Sequence, residues 1–414
     1  MNRFVRIILL FAVLGFAAAP FTLAGPNDWP QWRGPNRDGI SKETGLLKTW
    51  PEAGPKVLWK APSGDGYSGI VVANGRLYTM HSTRSEELVV CLDAATGKEI
   101  WRFISDNQVY ENQFGNGPRS TPIVDGELVF TLGGNGKLNA LNAKTGAKVW
   151  SHDLRSEFGG QIPTWGVSTS PLVDGEMLFV DVGGSGGNGL MAFNKKSGKV
   201  AWKSNSSLPG YSAPIAVAVN GIKQILFFTG TALISASPTD GKQYWSYTWR
   251  TSYDVNAATP VLISPDKVFI SSGYNTGAAV LRMKAANGGV KIEEVWKSQV
   301  MRNHFASSVL VGDYLYGFDE ATLKCININT QEEKWGKRGL GKGSLIYADG
   351  HLIVLSERGK LLLIEANPAE EIEKASAEVL RGRCWTVPTL ANGKLYVKNQ
   401  AEILCLDVTN SGQL

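Results

Sequence analysis

The sequence predicts an all-β protein, an eight-bladed β-propeller whose blades are four-stranded antiparallel sheets. Three observations support this prediction: an internal repeat along the chain, a Trp near the end of most repeats, and tight turns between short β-branched runs. The chain has 414 residues, of which 47 are Gly. Abundant Gly without the collagen period indicates many tight turns, and a long repeat period indicates a propeller or solenoid.

The repeat is clearest in the first complete blade. Strands are predicted at 68–73, 76–80 and 88–92, and a fourth strand begins at 99–101. The turn Asn74-Gly75 joins the first two strands, because Asn-Gly accepts positive φ at both central positions of a hairpin turn. A β-helix would need shorter coils, and a sandwich would not explain eight copies of one phrase.

The Trp that closes a blade recurs seven times, at spacings of 39 to 52 residues. These residues are Trp59, Trp101, Trp150, Trp202, Trp245, Trp296 and Trp335. The eighth equivalent is expected at Leu380, after an insertion at 367–376 that suggests a short acidic helix. Trp59 has no strands before it, and the last unit, 385–407, lacks a closing strand. The N-terminal strand is therefore predicted to complete the C-terminal blade, which removes open sheet edges.

Four segments are expected along the chain: a signal peptide at 1–24, an N-terminal arm at 25–56, the propeller at 57–407 and a tail at 408–414. Arg3 and Arg6 precede an apolar run that is too short for a comfortable membrane span. An uncleaved anchor is the alternative. Pro26 stands where a lipidated Cys would be, so no lipid anchor is expected. The predicted location is periplasmic or secreted.

The net charge is +5, and the sequence contains no block of basic residues. Nucleic acid is therefore not an expected partner. Cys91, Cys325 and Cys405 share one column of the repeat, where other blades have small residues, so buried packing is expected for them. Cys384 lies elsewhere in its blade, and a disulfide is left open. The four His residues are dispersed without zinc spacing, and no metal site is predicted.

The phrase from Cys91 to Trp101, with similar phrases at 140–150 and 192–202, resembles the tryptophan-docking repeat of PQQ-repeat, or quinoprotein-like, propellers. The arm at 28–39 resembles the opening of PQQ-like propeller proteins of planctomycetes. More distantly, the chain is similar to the outer-membrane barrel-assembly propeller lipoprotein. The resemblance implies either a cofactor-free binding scaffold or an alcohol or sugar dehydrogenase that uses PQQ with calcium.

Departures from the dehydrogenases favour the scaffold. The chain has no adjacent Cys pair and no Cys-x-x-Cys-His haem motif. No cofactor is therefore firmly predicted, and PQQ with calcium stays an alternative.

A candidate site follows from the residues that precede each innermost strand, because these converge at one mouth of the channel. They are Tyr67, Arg119, Ser168, Tyr211, Ala257, Ala306, Lys342 and Trp385. Two cations, three aromatic rings and a hydroxyl suit an anionic, partly flat ligand such as PQQ, a sugar or an acidic peptide. The alternative is that Tyr67, Tyr211 and Trp385 plug the channel.

Neighbouring loops add further candidates. Asp254 and His304 are candidate general bases, and Asn256, Arg302 and Asn303 are candidate ligand contacts. Ordinary loop hydrogen bonding is the alternative for all five. The arm that carries Trp29 and Trp32 is expected to pack across the outside or the underside of the propeller, with partner docking as a secondary possibility.

The function expected from these observations is binding or scaffolding in the cell envelope. The alternatives are a PQQ-dependent alcohol or sugar dehydrogenase and a polysaccharide-binding propeller, so catalysis stays open. The expected partner is an envelope protein, a glycan or a small anionic ligand at the channel mouth, and the protein is expected to be a monomer.

Overall fold

The computed structural model describes residues 25–286 and 289–410, in which eight four-stranded antiparallel sheets form a ring. The prediction of an all-β, eight-bladed propeller is confirmed. The predicted signal peptide and the end of the predicted tail lie outside the described residues. Within the described residues, no helix is long and apolar enough to cross a membrane.

The strands, numbered along the chain, are β1 (Val57–Pro62), β2 (Val71–Ala73), β3 (Arg76–Ser82), β4 (Glu87–Asp93), β5 (Glu99–Asp106), β6 (Ile123–Asp125), β7 (Leu128–Leu132), β8 (Lys137–Asn142), β9 (Lys148–Asp153), β10 (Leu172–Asp174), β11 (Met177–Asp181), β12 (Leu190–Asn194), β13 (Val200–Ser204), β14 (Ile215–Val219), β15 (Ile222–Phe228) and β16 (Ala232–Ala236). They continue as β17 (Gln243–Thr248), β18 (Val261–Ile263), β19 (Lys267–Ser272), β20 (Gly277–Ala286), β21 (Gly289–Ser298), β22 (Val309–Val311), β23 (Tyr314–Asp319), β24 (Thr322–Asn327), β25 (Glu333–Lys337), β26 (Ser344–Ala348), β27 (His351–Leu355), β28 (Lys360–Glu365), β29 (Glu373–Glu378), β30 (Thr389–Ala391), β31 (Lys394–Lys398) and β32 (Glu402–Asp407). A short helix, α1 (Leu154–Phe158), follows β9, and a 3₁₀ turn covers Ser252–Asp254.

Blades I to VII take four consecutive strands each, from β2–β5 to β26–β29, and blade VIII has the order β1-β32-β31-β30. The N-terminal strand β1 thus closes the ring on β32, with Trp59 opposite Cys405. The innermost strands contact one another around the axis, as β2 does with β6 and β30. Because β1 supplies the fourth strand of blade VIII, the ring closes without an incomplete blade, as predicted.

The blade-closing Trp packs on the next blade. The Trp59 indole donates to the carbonyl of Ala94 at 3.1 Å and covers Gly97. A Cβ at Gly97 would lie 2.5 Å from the Trp59 ring, and Gly97 has a φ of +71°. The same contact joins Trp101 to Gly146. At Gly97 and Gly146, both the left-handed backbone and the ring above it favour Gly.

Within its own blade, the closing Trp faces a small residue on the third strand in most blades, as Trp101 faces Cys91, whereas Trp296 faces Val280. This explains why cysteines share that column. All four cysteines of the chain are buried and free in the structure.

Blade VII corrects two expectations. Residues 367–376, expected to form a short acidic helix, contain no helix and lead into the strand β29, in which Ala375 pairs with Leu363 of β28. Ala375, not Leu380, therefore occupies the position of the closing Trp. In the other blades the third strand contributes the smaller residue of the pair and the fourth strand contributes the Trp. In blade VII the sizes are exchanged: the third strand contributes the larger residue, Leu363, and the fourth strand the smaller one, Ala375.

The N-terminal arm packs at the underside, the second of the two expected positions, and from there it enters the channel; it does not cover the outer surface. Trp29 exchanges two backbone hydrogen bonds with Val72 of blade I, and Val124 of blade II donates to Pro30. Farther along the arm, Glu43 accepts from the backbone of Gly393 in blade VIII. The bonds of the arm reach all eight blades, so the arm acts as a plug.

Two buried arginines fix this plug. Arg33 donates to the carbonyl of Ser308 at 2.6 Å. Arg37 donates to the carbonyls of Pro171 and Pro214. Burial lowers the pKa of Arg33 to about 10 and that of Arg37 to about 9, so both guanidinium groups stay charged at neutral pH. Backbone carbonyls accept most of the hydrogen bonds that the two guanidinium groups donate, which helps to make burial of these charges tolerable.

Candidate functional site

A cavity of about 340 Å³ opens at the mouth where the innermost strands begin. Seven of the eight predicted ring residues line it: Tyr67, Arg119, Ser168, Tyr211, Ala257, Lys342 and Trp385. The eighth, Ala306, does not, and its neighbours His304 and Phe305 line the cavity instead. The structure thus brings the predicted ring together in one pocket, because every blade presents the same backbone position to the axis.

An almost continuous belt of aromatic rings surrounds this mouth. Neighbouring rings in the belt have centroids 4.7 to 5.9 Å apart, the range of favourable aromatic pairs. In order, the belt contains Tyr211, Trp165, Tyr253, Tyr274, His304, Phe305, Trp385 and Tyr67.

The floor of the cavity comes from the arm. Trp32 lines the cavity and its indole donates to the Thr259 hydroxyl at 2.8 Å. The arm comes in from the opposite end of the channel, where the innermost strands turn into the second strands. The channel is therefore a blind pocket that is plugged by the arm, and not by Tyr67, Tyr211 and Trp385 alone.

Two cations, Arg119 and Lys342, are part of the cavity lining. The guanidinium of Arg119 lies 4.6 Å from the Tyr110 ring centroid and 5.6 Å from that of Tyr67. It donates to the carbonyls of Gly115 and Gly117. Burial lowers the pKa of Arg119, yet a guanidinium stays protonated at neutral pH. Lys342 supplies a second cation, and among the described residues no Asp or Glu lines the cavity.

Arg383 is a third cation at the rim, which the sequence analysis missed. Its guanidinium lies 4.4 Å from the Trp385 ring centroid and donates to the Phe114 carbonyl at 2.7 Å. It also donates to the Tyr67 hydroxyl at 3.2 Å. Arg383 thus holds the side chains of Tyr67 and Trp385, two of the predicted mouth residues, in place.

Three predicted contact residues lie outside the cavity lining and make structural hydrogen bonds. The Asn256 amide is buried and donates to the carbonyls of Thr229, Gly230 and Trp249. The Asn303 amide donates to the Phe318 carbonyl and accepts from the Ser308 hydroxyl. The Arg302 guanidinium pairs with the Asp319 carboxylate at 2.7 Å. All three are occupied by partners within the protein.

The two candidate bases are placed differently. Asp254 does not line the cavity, whereas His304 does. Burial and the charge of Lys342 lower the pKa of His304 to about 4, so its ring is neutral at physiological pH. A base is most effective when its pKa is near the working pH. His304 is therefore suited to stacking, with the Tyr274 ring at 4.7 Å, more than to proton transfer.

Five aromatic residues of the lining were not predicted from the sequence: Trp32, Phe114, Trp165, Tyr274 and Phe305. These residues belong to the arm, to loops between blades and to a turn, outside the repeat columns on which the ring was built. The one signal in the sequence was the density of aromatic residues in the long loops. Nothing in the repeat indicates that such loops fold over the axis.

The chain matches a known protein family over most of its length. The family described as outer membrane protein assembly factor BamB matches residues 45–157 and 85–337, more than half of the chain. The chain belongs to this family. The PQQ-repeat resemblance noted in the sequence is thereby confirmed. No curated protein matches the chain significantly.

Solved structures resemble this BamB-like propeller in fold. BamB from Moraxella catarrhalis is 16% identical, with a TM-score of 0.60 over 86% of this chain and 100% of that one. Quinohemoprotein alcohol dehydrogenase from Comamonas testosteroni is 12% identical, with a TM-score of 0.64 over 94% of this chain and 81% of that one. The designed protein Ika8 is 10% identical, with a TM-score of 0.58. At these identities the likeness concerns the fold alone.

The residues of the cavity do not fit calcium-bound PQQ. Calcium takes six to eight oxygen ligands, in which carboxylate and amide oxygens are prominent. The described lining contains no Asp, Glu, Asn or Gln side chain. Among the described residues there is also no group of three or more His, Cys, Asp or Glu side chains placed to hold a metal ion.

Proposed function

We propose that this protein is a binding propeller whose mouth cavity holds a small anion with a flat ring face. The observation that carries the proposal is the aromatic belt around a pocket with Arg119 and Lys342 in its lining and no carboxylate. Aromatic faces attract flat rings, and guanidinium and ammonium groups pair with carboxylates. A cavity of about 340 Å³ is at the lower end of the small-molecule range.

The binding role is favoured over the dehydrogenase alternative. The cavity lining supplies aromatic stacking and positive charge but no oxygen cage for calcium. His304, the one ionisable candidate base in the lining, has a pKa too low for an effective general base at neutral pH. These features support recognition of a ligand and do not support its oxidation.

We also propose that the protein works in the cell envelope, as expected from residues 1–24 and as the family description of an outer membrane assembly factor supports. The same proposal includes an envelope protein as a binding partner, which would bind to the outer surface of the blades. The mouth cavity is too small for a folded partner, so it is reserved for the small anion or for a ring-bearing side group.

Isothermal titration calorimetry with naphthoate, a planar aromatic carboxylate, tests the cavity directly. We expect naphthoate to bind more tightly than neutral naphthalene methanol, because the carboxylate pairs with the mouth cations. Arg119→Gln and Lys342→Gln should each weaken naphthoate binding about tenfold or more, the typical loss of a charge-assisted hydrogen bond. Lys203→Gln, at an exposed position on β13, is the matched control and should change nothing.

Trigalacturonate tests the glycan form of the same proposal in parallel titrations. If neither naphthoate nor trigalacturonate binds the folded protein, the proposal is wrong. Calcium-dependent binding of PQQ would instead restore the dehydrogenase alternative. The Lys342 variant guards against misfolding, because no described residue accepts a hydrogen bond from its ammonium group, whereas Arg119 supports the loop at Gly115 and Gly117.

A further inference from the structure

We propose that Tyr253 and Tyr274, whose rings contact each other edge to face, form an aromatic corner at the rim of the mouth cavity against which the ring of the bound ligand packs, an inference that rests on the proposed function. Both tyrosines belong to the aromatic belt, with centroids 5.9 Å apart. Both are held in a left-handed backbone conformation, in which a bulky residue is a genuine outlier. Such a corner would make these two residues determinants of ligand specificity.

Tyr253 is placed where a structural role is hard to find. Its side chain is 70% exposed, the highest value among the exposed large hydrophobic residues of the described chain. Its φ is +68°, and the next residue, Asp254, has a φ of +55°. The ring meets Trp165 at an interplanar angle of 86°. With most of the ring in solvent, a ring face is available to a ligand.

Tyr274 occupies a turn that favours other residues. The turn runs from Gly273 to Thr276, whose N–H donates to the Gly273 carbonyl at 3.1 Å. Tyr274 and Asn275 have φ values of +54° and +58°, the pattern of a type I′ turn, in which Asn, Asp and Gly dominate. Tyr274 therefore has an unfavourable backbone conformation, and its ring is part of the cavity lining.

Hydrogen bonds connect the two loops and hold the Tyr274 turn in place. Asn256, at the end of the Tyr253 loop, accepts a 2.7 Å hydrogen bond from Ser272, which directly precedes the Tyr274 turn. Glu320 accepts from the Tyr274 N–H at 2.9 Å. Arg302 donates to the Asn275 side chain at 3.2 Å. The predicted contact residues Asn256 and Arg302 thus act as positioning residues for the tyrosines.

The combination of strain and rigidity supports a ligand role. Left-handed non-Gly residues persist where the surrounding structure over-determines them, and they cluster at binding sites and ligand clamps. A rigid, preformed aromatic pair lowers the entropy lost when a ligand binds. A tyrosine with only a packing role would be expected to be buried, which Tyr253 is not.

The test compares Tyr253→Gly with Tyr253→Ala. Both remove the ring, so both should weaken naphthoate binding about three- to tenfold, the value of one aromatic pair. Only Gly adopts the left-handed backbone without strain, so the Gly variant should melt about 1 to 3 °C above the Ala variant. Tyr253→Phe keeps the ring and should bind as the unmodified protein does.

Gln331 is the matched control, because it has a φ of +64° in a turn away from the mouth. Gln331→Gly and Gln331→Ala should show the same gap in melting temperature with unchanged naphthoate affinity. If naphthoate binds but Tyr253→Gly and Tyr253→Ala leave its affinity unchanged, the aromatic corner is overturned and the binding function stands. If the unmodified protein binds neither naphthoate nor trigalacturonate, both are overturned.

Discussion

Lys398 lies buried at the seam that closes the ring, and its removal should stabilise the protein. It belongs to β31 of blade VIII and is 0% exposed. Its ammonium group donates to the Met80 carbonyl at 3.2 Å and to the Thr79 hydroxyl at 3.4 Å, both in blade I. No carboxylate of the described residues forms an ion pair with it. Burial lowers its pKa to about 7, and His81 beside it is neutral because burial lowers that pKa to about 4.

The pH dependence follows from the direction of this shift. A free lysine has a pKa of about 10.4, so between about pH 7 and pH 10 the unfolded chain binds the proton that the folded protein has lost. Stability therefore rises with pH across this window. Integration of the shift puts the destabilising contribution of Lys398 at about 4 kcal/mol at pH 7 and about 2 kcal/mol at pH 9.

Lys398→Met removes the titrating group at nearly constant volume. The lost hydrogen bonds to Thr79 and Met80 offset about 1 kcal/mol of the gain. We expect the variant to be about 3 kcal/mol more stable at pH 7 and about 1 kcal/mol more stable at pH 9. Urea unfolding at several pH values, followed by fluorescence and circular dichroism together, measures the difference. Lys203→Met, at an exposed position, is the control for loss of a positive charge.

Two results would refute this reasoning. A stability difference between Lys398→Met and the unmodified protein that stays constant from pH 7 to pH 9 would mean that Lys398 keeps its ordinary pKa. A variant that is less stable at pH 7 would mean that the ammonium group stabilises the seam between blades VIII and I, and that its hydrogen bonds outweigh its desolvation.

Two further stability predictions concern the blades and the plug. Gly97→Ala should destabilise the protein by about 1 to 3 kcal/mol more than Gly75→Ala in urea unfolding, because both glycines have a φ of +71° but only Gly97 lies under the Trp59 ring; equal losses would mean that the ring contributes nothing. Arg37→Met should cost about 3 kcal/mol or more, since it leaves the buried Pro171 and Pro214 carbonyls without donors. Arg338→Met, at an exposed position, should cost under about 0.5 kcal/mol, and an equal loss in both variants would contradict the plug.

Much of the fold was predictable because its information is local and repeated. The closing Trp and the Gly of the turn are set by contacts between successive blades, such as Trp101 on Gly146. A column in the repeat therefore corresponds to one place in every blade. Blade VII is where this reasoning was wrong, because Ala375 and Leu363 exchange the usual sizes and leave no Trp to mark the register.

The candidate site was predictable in part for the same reason. Tyr67, Arg119, Lys342 and Trp385 precede innermost strands, so the symmetry of the ring brings them together. Asn256, Asn303 and Arg302 lie one or a few residues from the same column, and a short step along the chain turns a side chain from the cavity to a loop. The spacing of residues in the sequence does not predict which of these side chains points into the cavity.

The sequence by itself determined the class of the fold, the number of blades, the closing strand and most of the mouth ring, because each depends on a pattern that recurs along the chain. Only the tertiary structure decided that the arm fills the channel and brings Trp32 to the floor of the cavity. It alone also showed that Tyr253 and Tyr274 meet at the rim. These features occur once, and they depend on contacts between segments far apart in the chain that no repeat encodes.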